Sequence, residues 1–420
     1  MVGIQANLRT YLKHFQTEFK VGTFDQSHNA GHYLRGLLKG QTGKRNIEKI
    51  CQLELFDHYQ NLHHFISCSA WSSQAVKDRI QSINQELLSN QSYGYIIDER
   101  SGAKKGLHSV GVSRQYCGST GKIDNCQTGV YSVLTTPLMS LPSNVRLYLP
   151  KDWVEDRKRS CKAGLPSGIK FKTKADLAIE MIREDLKKGV KPLWYGGDSL
   201  YGRTWRLTTF IEEECQSHFV MDVPKDHLIY LTDPMQDDQA VPVSIEEHFK
   251  TISLSKRKKV NYHHHKNACA YAVKVFTKDT KQDRNRSRKR VLIISKGLSK
   301  RDKVKYSLTN FTLQQKTLAE LVYMQRARFG VEQYFREASQ LAGIGDYQVR
   351  TYQAWLHTQI LSMMLMQILN KIRMLLIKRK SLLSLITVAS CLALILLEVK
   401  NYRGAVLNLI KQYSTPLNTS

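Results

Sequence analysis

Two short apolar runs, GYIID at residues 94–98 and PLWYGGD at residues 192–198, each end in an aspartate. Apolar runs of this length, bounded by glycine and polar residues, predict buried β-strands. Asp98 and Asp198 therefore lie at strand ends, the edge at which the sites of α/β sheets are commonly built. A strand-end aspartate is also a common turn or cap residue, so each one alone is weak evidence for a site.

The segments around these runs predict an α/β fold. Strand-like patterns at 109–117 and from Cys126, joined by glycine-containing connections, predict a three-stranded meander with residues 94–99. KADLAIEMIREDLKKG at 174–189 has apolar residues at helical spacing and ends in Gly189, a typical residue just past a helix. A helix through RLTTFIEEE and a strand, HFVMDVP, follow, so the predicted order is βββαβαβ.

The chain is strongly basic. Its 63 Lys and Arg against 36 Asp and Glu give a formal charge of +27, which favours nucleic acid as a partner, with an anionic membrane second. Residues 256–305 alone carry 18 basic and 3 acidic residues, an excess of 15.

Eight scattered cysteines argue against zinc ribbons and a disulfide scaffold, and the polar N-terminus lacks an export signal, so we expect a cytoplasmic protein.

Changes in pattern and charge divide the chain into segments. The predicted organisation is a helical N-terminal domain with a DNA-binding role (1–75), the first part of a catalytic core (90–224), a basic β-rich insertion (225–311), a helix that closes the core (312–350), and a helical C-terminal region (351–420).

A third acid, Glu332, lies in a predicted helix with the sequence RFGVEQYFREA at 328–338. Arg328 and Arg336 share its face at one turn before and after. A surface ladder of ion pairs would have the same pattern. The combination with two strand-end aspartates and a basic insertion favours a site.

Three carboxylates from separate elements suit Mg²⁺, which takes oxygen ligands and keeps water and phosphate oxygens in its remaining positions. Two such ions would suffice for in-line displacement at phosphorus, and Mn²⁺ is expected to substitute for Mg²⁺. Arginines beside the acids would neutralise and orient a phosphate.

The sequence resembles the insertion-sequence transposases of the insertion sequence 701 group, within the larger insertion sequence 4 superfamily. The resemblance covers roughly residues 24 to 370. It begins at FDQSHNAGHYLRGLLKG and includes IIDERSGAKKGLHSVGVSRQYCGSTGKIDNCQTGVY. Its specific signals are GDSLYGR at 197–203 and the segment that combines VEQYFREA, YQVR and a tryptophan.

The resemblance implies a ribonuclease H-like mixed sheet flanked by helices, with a β-rich insertion before the helix that bears the glutamate. It matches Asp98, Asp198 and Glu332 to the family's DDE triad, which would cleave the element's ends and join them to target DNA. DNA would be the partner, bound by a homodimer in the synaptic complex and at the bacterial nucleoid. The residues that we assign to DNA contact are Lys104, Lys105, Arg203, Lys256, Arg257, Lys258, Lys259, Tyr323, Arg328, Arg336 and Arg350.

Three positions depart from the family pattern. Gln325 stands where the helix motif has a tyrosine, with Tyr323 two residues early, and Ser339 stands at the position of a lysine. The first motif, IDERSGAKKG, lacks the Asp-Thr that commonly follows the first acid.

Other functions are weighed against this one. The first alternative is a decayed transposase that acts only as a DNA-binding protein or repressor. The second is a membrane protein anchored through residues 381–397. A buried helix is the competing interpretation of this segment, and we expect no stable association with a membrane.

The run His263–His265 near Cys269 could suggest zinc, but it has no second pair at zinc spacing. Trp355 and His357 lie on an apolar helix and are expected in the core.

Overall fold

The computed structural model describes residues 11–54, 59–263, 266–278, 286–299, 301–377 and 381–396, together with 406, 412 and 415–416. In chain order the strands are β1 (Lys20–Val21), β2 (Phe24–Asp25), β3 (Gly94–Ala103), β4 (Ser113–Cys117), β5 (Lys122–Thr135), β6 (Ser140–Leu147), β7 (Trp194–Gly197), β8 (Phe219–Asp222), β9 (Leu228–Ile229), β10 (Val243–Ser244), β11 (Lys258–His263), β12 (Lys266–Lys278), β13 (Ser287–Gly297), β14 (Lys305–Thr309), β15 (Ser381–Leu382) and β16 (Thr415–Pro416).

The α-helices are α1 (Ser27–Lys39), α2 (Ile47–Glu54), α3 (Tyr59–Ser67), α4 (Ser73–Leu88), α5 (Lys151–Glu155), α6 (Arg157–Lys162), α7 (Lys174–Lys187), α8 (Ser199–Gly202), α9 (Trp205–Thr209), α10 (Ile245–Thr251), α11 (Leu318–Ala327), α12 (Phe329–Leu341), α13 (Tyr352–Ile377) and α14 (Leu385–Leu396). A π-helical turn, Phe210–Glu214, continues α9.

The centre of the fold is a mixed sheet with the order β6-β5-β3-β7-β8. The strands β3, β7 and β8 run parallel, whereas β5 is antiparallel to both β3 and β6. Side chains alternate across it: Ile96 faces a core that contains α12 and α13, and Ile97 faces a core that contains α7. This helix-flanked mixed sheet confirms the predicted ribonuclease H-like architecture.

The three predicted strands form, as β3, β4 and β5, but the predicted order of the meander was wrong: β5 lies between β3 and β4 and pairs with both. The strand β6, which the pattern did not reveal, also pairs with β5. The sequence of β6, SLPSNVRL, does not alternate and contains Pro142, which lacks the N–H that a central strand needs. Here β6 pairs with β5 alone, with a register shift beside Pro142, so the proline is tolerated.

The helix α7 has the ends that its sequence predicts. Thr173 and Asp176 form a reciprocal capping box at its start, which satisfies two backbone N–H groups. Gly189, just past its last residue, has a φ of +84°, the left-handed conformation that glycine adopts at least cost.

The basic insertion is built onto the central sheet. Its strand β14 pairs antiparallel with β8, and β13, β12 and β11 follow in order, which extends the sheet to ten strands. The strand β11 is the outer edge.

The N-terminal and C-terminal helices share one core. Residues of α1 to α4 pack with α13 and α14 in a single cluster. Within it the ring of His357 stacks on Trp71 at 3.7 Å. Its Nδ1 lies 2.9 Å from the carbonyl oxygen of Ile66 and its Nε2 3.3 Å from that of Trp71, and the neutral ring can donate to one of them. Burial lowers the pKa of His357 to about 4. Trp355 and His357 are both 1% exposed, as core residues are.

One of the described helices, α13, is apolar enough to cross a membrane by length and composition, with a mean hydropathy of 1.6 in its most apolar window. Of that window 67% is buried inside the fold, as in a core helix. The predicted candidate at 381–397 contains α14, of which the structure describes 12 residues, and Leu397 lies outside the described residues.

An ion-pair network joins the insertion to the π-helical turn after α9. Arg288 and Arg290 on β13 are only 7% and 5% exposed. Arg290 makes two bonds to the carboxylate of Glu212, and Arg288 bridges Glu212 and Glu213 at 2.9 Å each. Part of the basic run that suggested nucleic acid therefore has an internal structural role.

We expect Glu212→Gln to lower the free energy of unfolding by about 2–4 kcal/mol, because it leaves two buried guanidinium groups with too little opposing charge. Urea denaturation measures the change. Glu214→Gln is the matched control from the same turn: its pair with Arg183 is more than half exposed, at 58% and 52%, so its removal should change stability by less than about 0.5 kcal/mol. Equal losses in the two variants would contradict the structural role of the network.

A carboxylate cluster at the carboxyl edge of the sheet

Sheet register brings three aspartates into one row. Ile97 of β3 lies opposite Gly197 of β7, and Gly197 lies opposite Met221 of β8. The next residue on each of these parallel strands is an aspartate: Asp98, Asp198 and Asp222. Asp198 follows the end of β7 and Asp222 ends β8, but the prediction that Asp98 ends its strand was wrong, because β3 continues beside β5 to Ala103. Asp98 lies where the pairing of β3 with β7 stops, so the three carboxylates still gather at one edge of the parallel strands.

Close packing fixes the middle member of the row. Asp198 caps the short α8, and its Oδ1 accepts a hydrogen bond of 2.9 Å from the backbone N–H of Leu200. A Cβ on Gly202 would lie 1.9 Å from the carbonyl oxygen of Asp222, so only glycine lets this helix approach β8. Gly202, the second glycine of GDSLYGR, therefore allows the helix that Asp198 caps to pack closely against Asp222.

Glu332 reaches the row through Arg328. The predicted single helix is two helices, α11 and α12, which meet at Arg328. Its guanidinium lies 2.7 Å from Oε1 of Glu332, 3.5 Å from Oδ2 of Asp98 and 2.9 Å from Oδ2 of Asp222. Arg328 thus connects the first and third acids of the predicted triad.

Electrostatic strain is concentrated on the aspartates. Burial, followed by repulsion from Asp198, raises the pKa of Asp98 to about 8. Burial and the charge of Glu99 raise the pKa of Asp198. Burial works to lower the pKa of Arg328, but its carboxylate neighbours hold it above its ordinary value. The cluster therefore has more negative charge than its single arginine can neutralise.

The donor set fits a hard divalent cation. Asp98, Asp198 and Glu332 offer carboxylate oxygens, the ligands that Mg²⁺ prefers, and a cation would relieve the repulsion that raises the pKa of Asp98. Within the described part of the chain, no three His, Cys, Asp or Glu side chains already converge as a metal site. In this cluster the guanidinium of Arg328 lies among the carboxylates.

Sequence reasoning missed Asp222, the fourth acid of this cluster, and Glu99 beside it. Glu99 accepts a hydrogen bond of 2.7 Å from Lys174 and one of 3.1 Å from the hydroxyl of Tyr201. Asp222 ends the strand HFVMD, and an aspartate directly after an apolar run, the pattern that singled out Asp98 and Asp198, was the signal that could have identified it. The register between β7 and β8, which the sequence does not reveal, places Asp222 beside Asp198 and so makes it part of the site.

The predicted DNA contacts fall into two groups. Four of them have structural partners. Arg328 is paired with carboxylates of the cluster, and Lys104 lies over the ring of Tyr347 at 4.0 Å. Tyr323 packs edge-on against Trp194, and Arg257 lies over the ring of Phe249 at 4.3 Å. Burial lowers the pKa of Lys104 to about 8 and raises that of Tyr323 to about 12. The exposed members are Lys105, Arg203, Lys256, Lys258, Lys259, Arg336 and Arg350.

The positions that depart from the family pattern have defined neighbours. Gln325 is 1% exposed and lies between β13 and β14, so it cannot face DNA. Ser339 accepts a hydrogen bond of 3.1 Å from the guanidinium of Arg100, which places a positive charge beside the position of the missing lysine.

His264 and His265, from the run that suggested zinc, lie outside the described residues.

Glu337, the other acid on α12, is separated from the cluster. It lines a cavity of about 320 Å³ with Arg373, and it accepts a hydrogen bond from Gln333. Five residues of helix place it about 140° around the axis from Glu332. Glu332 is therefore the acid of α12 that faces the aspartates.

Comparison with known proteins shows the family of this chain. Residues 14–244 match the model of the family described as DDE superfamily endonuclease. A curated relative from Microchaete diplosiphon, named "Probable transposase for insertion sequence element IS701", is 26% identical over 220 residues. That match covers 49% of this chain and 54% of the relative, so the chain spans about half of the relative's length.

The strained carboxyl of Asp98 predicts a pH-dependent stability. Between pH 4 and 8 the folded protein keeps a proton that the unfolded chain loses, so the parent loses stability as the pH rises through this window. Asp98→Asn lacks this effect. Without divalent ions we expect it to raise the free energy of unfolding at pH 8.5 by about 1 kcal/mol or more, since one pKa unit corresponds to about 1.4 kcal/mol.

Urea denaturation in EDTA at pH 4.5 and pH 8.5 tests this expectation. Asp226→Asn, at an exposed aspartate four residues after Asp222, controls for the loss of a charge. The assignment of strain to Asp98 would be wrong if Asp98→Asn were no more stable than the parent at pH 8.5.

Proposed function

The chain belongs to the DDE superfamily endonuclease family, and from this membership we propose that it is a transposase that cleaves DNA at the ends of its own element and joins them to target DNA. The relative that is named a probable transposase supports the choice of reaction. The observation that carries the proposal is the row of Asp98 and Asp198 across parallel strands, with Glu332 drawn to it by Arg328.

Each residue of the triad has a distinct structural support. Asp98 and Asp198 are fixed by the sheet and by backbone hydrogen bonds at 2.8 and 2.9 Å, so little freedom is lost when they bind a ligand. The side chain of Glu332 is 44% exposed and can move on the helix surface. This difference suits two fixed ligands and one that closes on the bound ion.

Divalent cations held by Asp98, Asp198 and Glu332, Mg²⁺ with Mn²⁺ as a substitute, would activate a water or a 3′-hydroxyl and stabilise the leaving oxygen at phosphorus. Arg328 would then be available to a phosphate oxygen, for which a guanidinium is a strong donor. Glu99 holds Lys174 and Tyr201 beside the site and so maintains its walls.

We infer a path for DNA from the exposed basic residues. Lys256, Lys258 and Lys259 lie on or just before β11, the open edge of the extended sheet, where they can meet a phosphate backbone without losing internal partners. Arg336 continues the exposed face of α12 beyond Glu332. A homodimer would hold two element ends together, in the cytoplasm of a bacterium and at its nucleoid.

We expect Asp98→Asn, Asp198→Asn and Glu332→Gln each to abolish Mg²⁺-dependent cleavage and strand transfer, because each removes one ligand of a shared site. Combined changes should add little to any single one, since the residues act as a unit. DNA binding should remain. The measurements are cleavage of a duplex that carries the element's end, and binding to the same duplex in Ca²⁺.

Glu337→Gln is the matched control, since Glu337 is on the same helix but lines a different cavity. It should cleave at the rate of the parent. Cleavage by Glu332→Gln at the parental rate would refute its assignment as the third ligand. Binding without cleavage by the parent protein would identify a decayed transposase.

The lysines at the open edge should set the salt dependence of nonspecific binding. The triple change of Lys256, Lys258 and Lys259 to Ala should weaken binding to unrelated duplexes and reduce the slope of log K against log[salt] by about one for each lost phosphate contact. Fluorescence anisotropy at several salt concentrations measures this slope.

Arg257→Ala is the control inside the same run. The guanidinium of Arg257 donates to the carbonyl oxygen of Ile252 and packs on Phe249, so its loss should affect stability more than the slope. An unchanged slope in the triple variant would show that these lysines only keep the sheet edge from pairing with other strands.

A further inference from the structure

Asp222 is the fourth carboxylate at the site and lies outside the DDE triad. It is 17% exposed, and its two oxygens have different partners. Oδ2 lies 2.9 Å from Nε of Arg328, and Oδ1 accepts a hydrogen bond of 2.6 Å from Ser307. The contact with Arg328 is an ion pair without hydrogen-bond geometry.

Arg328 divides its guanidinium between this acid and two members of the triad. Nη2 contacts Glu332 at 2.7 Å and Nη1 lies 3.5 Å from Asp98, while Nε faces Asp222. A cation bound by Asp98 and Glu332 would compete with those two contacts. The contact with Asp222 does not involve a triad residue and can persist.

A buried hydrogen-bond network holds Asp222 in place. Ser307 of β14, which donates to Asp222, accepts a hydrogen bond of 2.9 Å from the side-chain amide of Gln325. The amide oxygen of Gln325 in turn accepts from Ser295 of β13. Ser295, Ser307 and Gln325 are at most 1% exposed. Through Ser307, the insertion thereby fixes the carboxylate of Asp222, which pairs with Arg328.

We propose that Asp222 is a positioning residue that retains Arg328 when Asp98 and Glu332 bind a divalent cation. This inference rests on the proposed function, because it assumes the metal site. Arg328 is only 15% exposed. If it lost its contacts with Asp98 and Glu332 and had no third acid beside it, its charge would be uncompensated at a largely buried position. Asp222 removes that cost, so cation binding displaces two contacts and keeps the third.

The test is a double-mutant cycle on cation affinity. Isothermal titration calorimetry measures Mn²⁺ binding to the full chain, which needs neither DNA nor turnover. Asp222→Asn keeps the shape of the side chain and removes its charge. We expect it to weaken Mn²⁺ binding about tenfold in the parent and no more than about twofold when combined with Arg328→Gln, an ordinary coupling for residues in one ion-pair network.

Two further variants separate the possible explanations. Ser307→Ala keeps the charge of Asp222 but removes its hydrogen bond, so it should weaken Mn²⁺ binding about threefold, again only with Arg328 present. It also carries the test if Asp222→Asn does not fold. Asp226→Asn, an exposed neighbour, should bind Mn²⁺ as the parent does.

The outcomes are distinct. Equal weakening by Asp222→Asn with and without Arg328 would mean that Asp222 acts directly on the cation and would overturn the positioning role, as would no weakening at all. Asp98→Asn in the same titration tests the proposed function separately. If it bound Mn²⁺ as the parent does, the metal site itself would be wrong, whereas its loss of binding beside an unaffected Asp222→Asn would overturn only this inference.

Discussion

Four carboxylates and one guanidinium meet at a single edge of the sheet, and the fold around them is arranged to make that concentration of charge tolerable. Register alone places Asp98, Asp198 and Asp222 side by side. The break between α11 and α12 directs Arg328 back over them and sets Glu332 one turn later. Arg328 and the neighbouring Lys305, which interacts with Asp222 and Glu332, supply two positive charges, fewer than the four acids. The site therefore favours a further cation, of metal or of solvent.

The insertion has two physical roles that its composition conceals. Its strands extend the central sheet from β8, and the residues Ser295 and Ser307 support Asp222 through Gln325. Arg288 and Arg290 tie the same strands to the turn after α9. A net charge counts these arginines with the exposed lysines of β11, although buried pairs are unavailable to DNA. Nucleic-acid affinity should therefore depend on far fewer residues than the charge of the segment implies.

Local features of the fold could be predicted from the sequence, and long-range ones could not. The apolar strand segments that precede Asp98 and Asp198, and the helix α7 with Gly189, follow from patterns within a few residues. The strand β6 was missed because Pro142 and the absence of alternation hide a strand that pairs on one side only. Asp222 and the buried role of Gln325 were missed because they depend on neighbours about 85 and 30 residues away along the chain, where a single sequence carries no pairing information.

Spatial neighbours also change the meaning of the altered motif. On α12 the serine at position 339 lacks the charge that the family resemblance leads one to expect. Arg100, two residues after Asp98 on β3, reaches across to donate to that serine, and Gly345 leaves the space in which its guanidinium lies. The positive charge therefore comes from the sheet instead of the helix, at nearly the same place. Gln325, likewise, is part of a buried hydrogen-bond network. Departures in a linear motif are therefore judged by the spatial neighbours of each position, and at position 339 the neighbour is the guanidinium of Arg100.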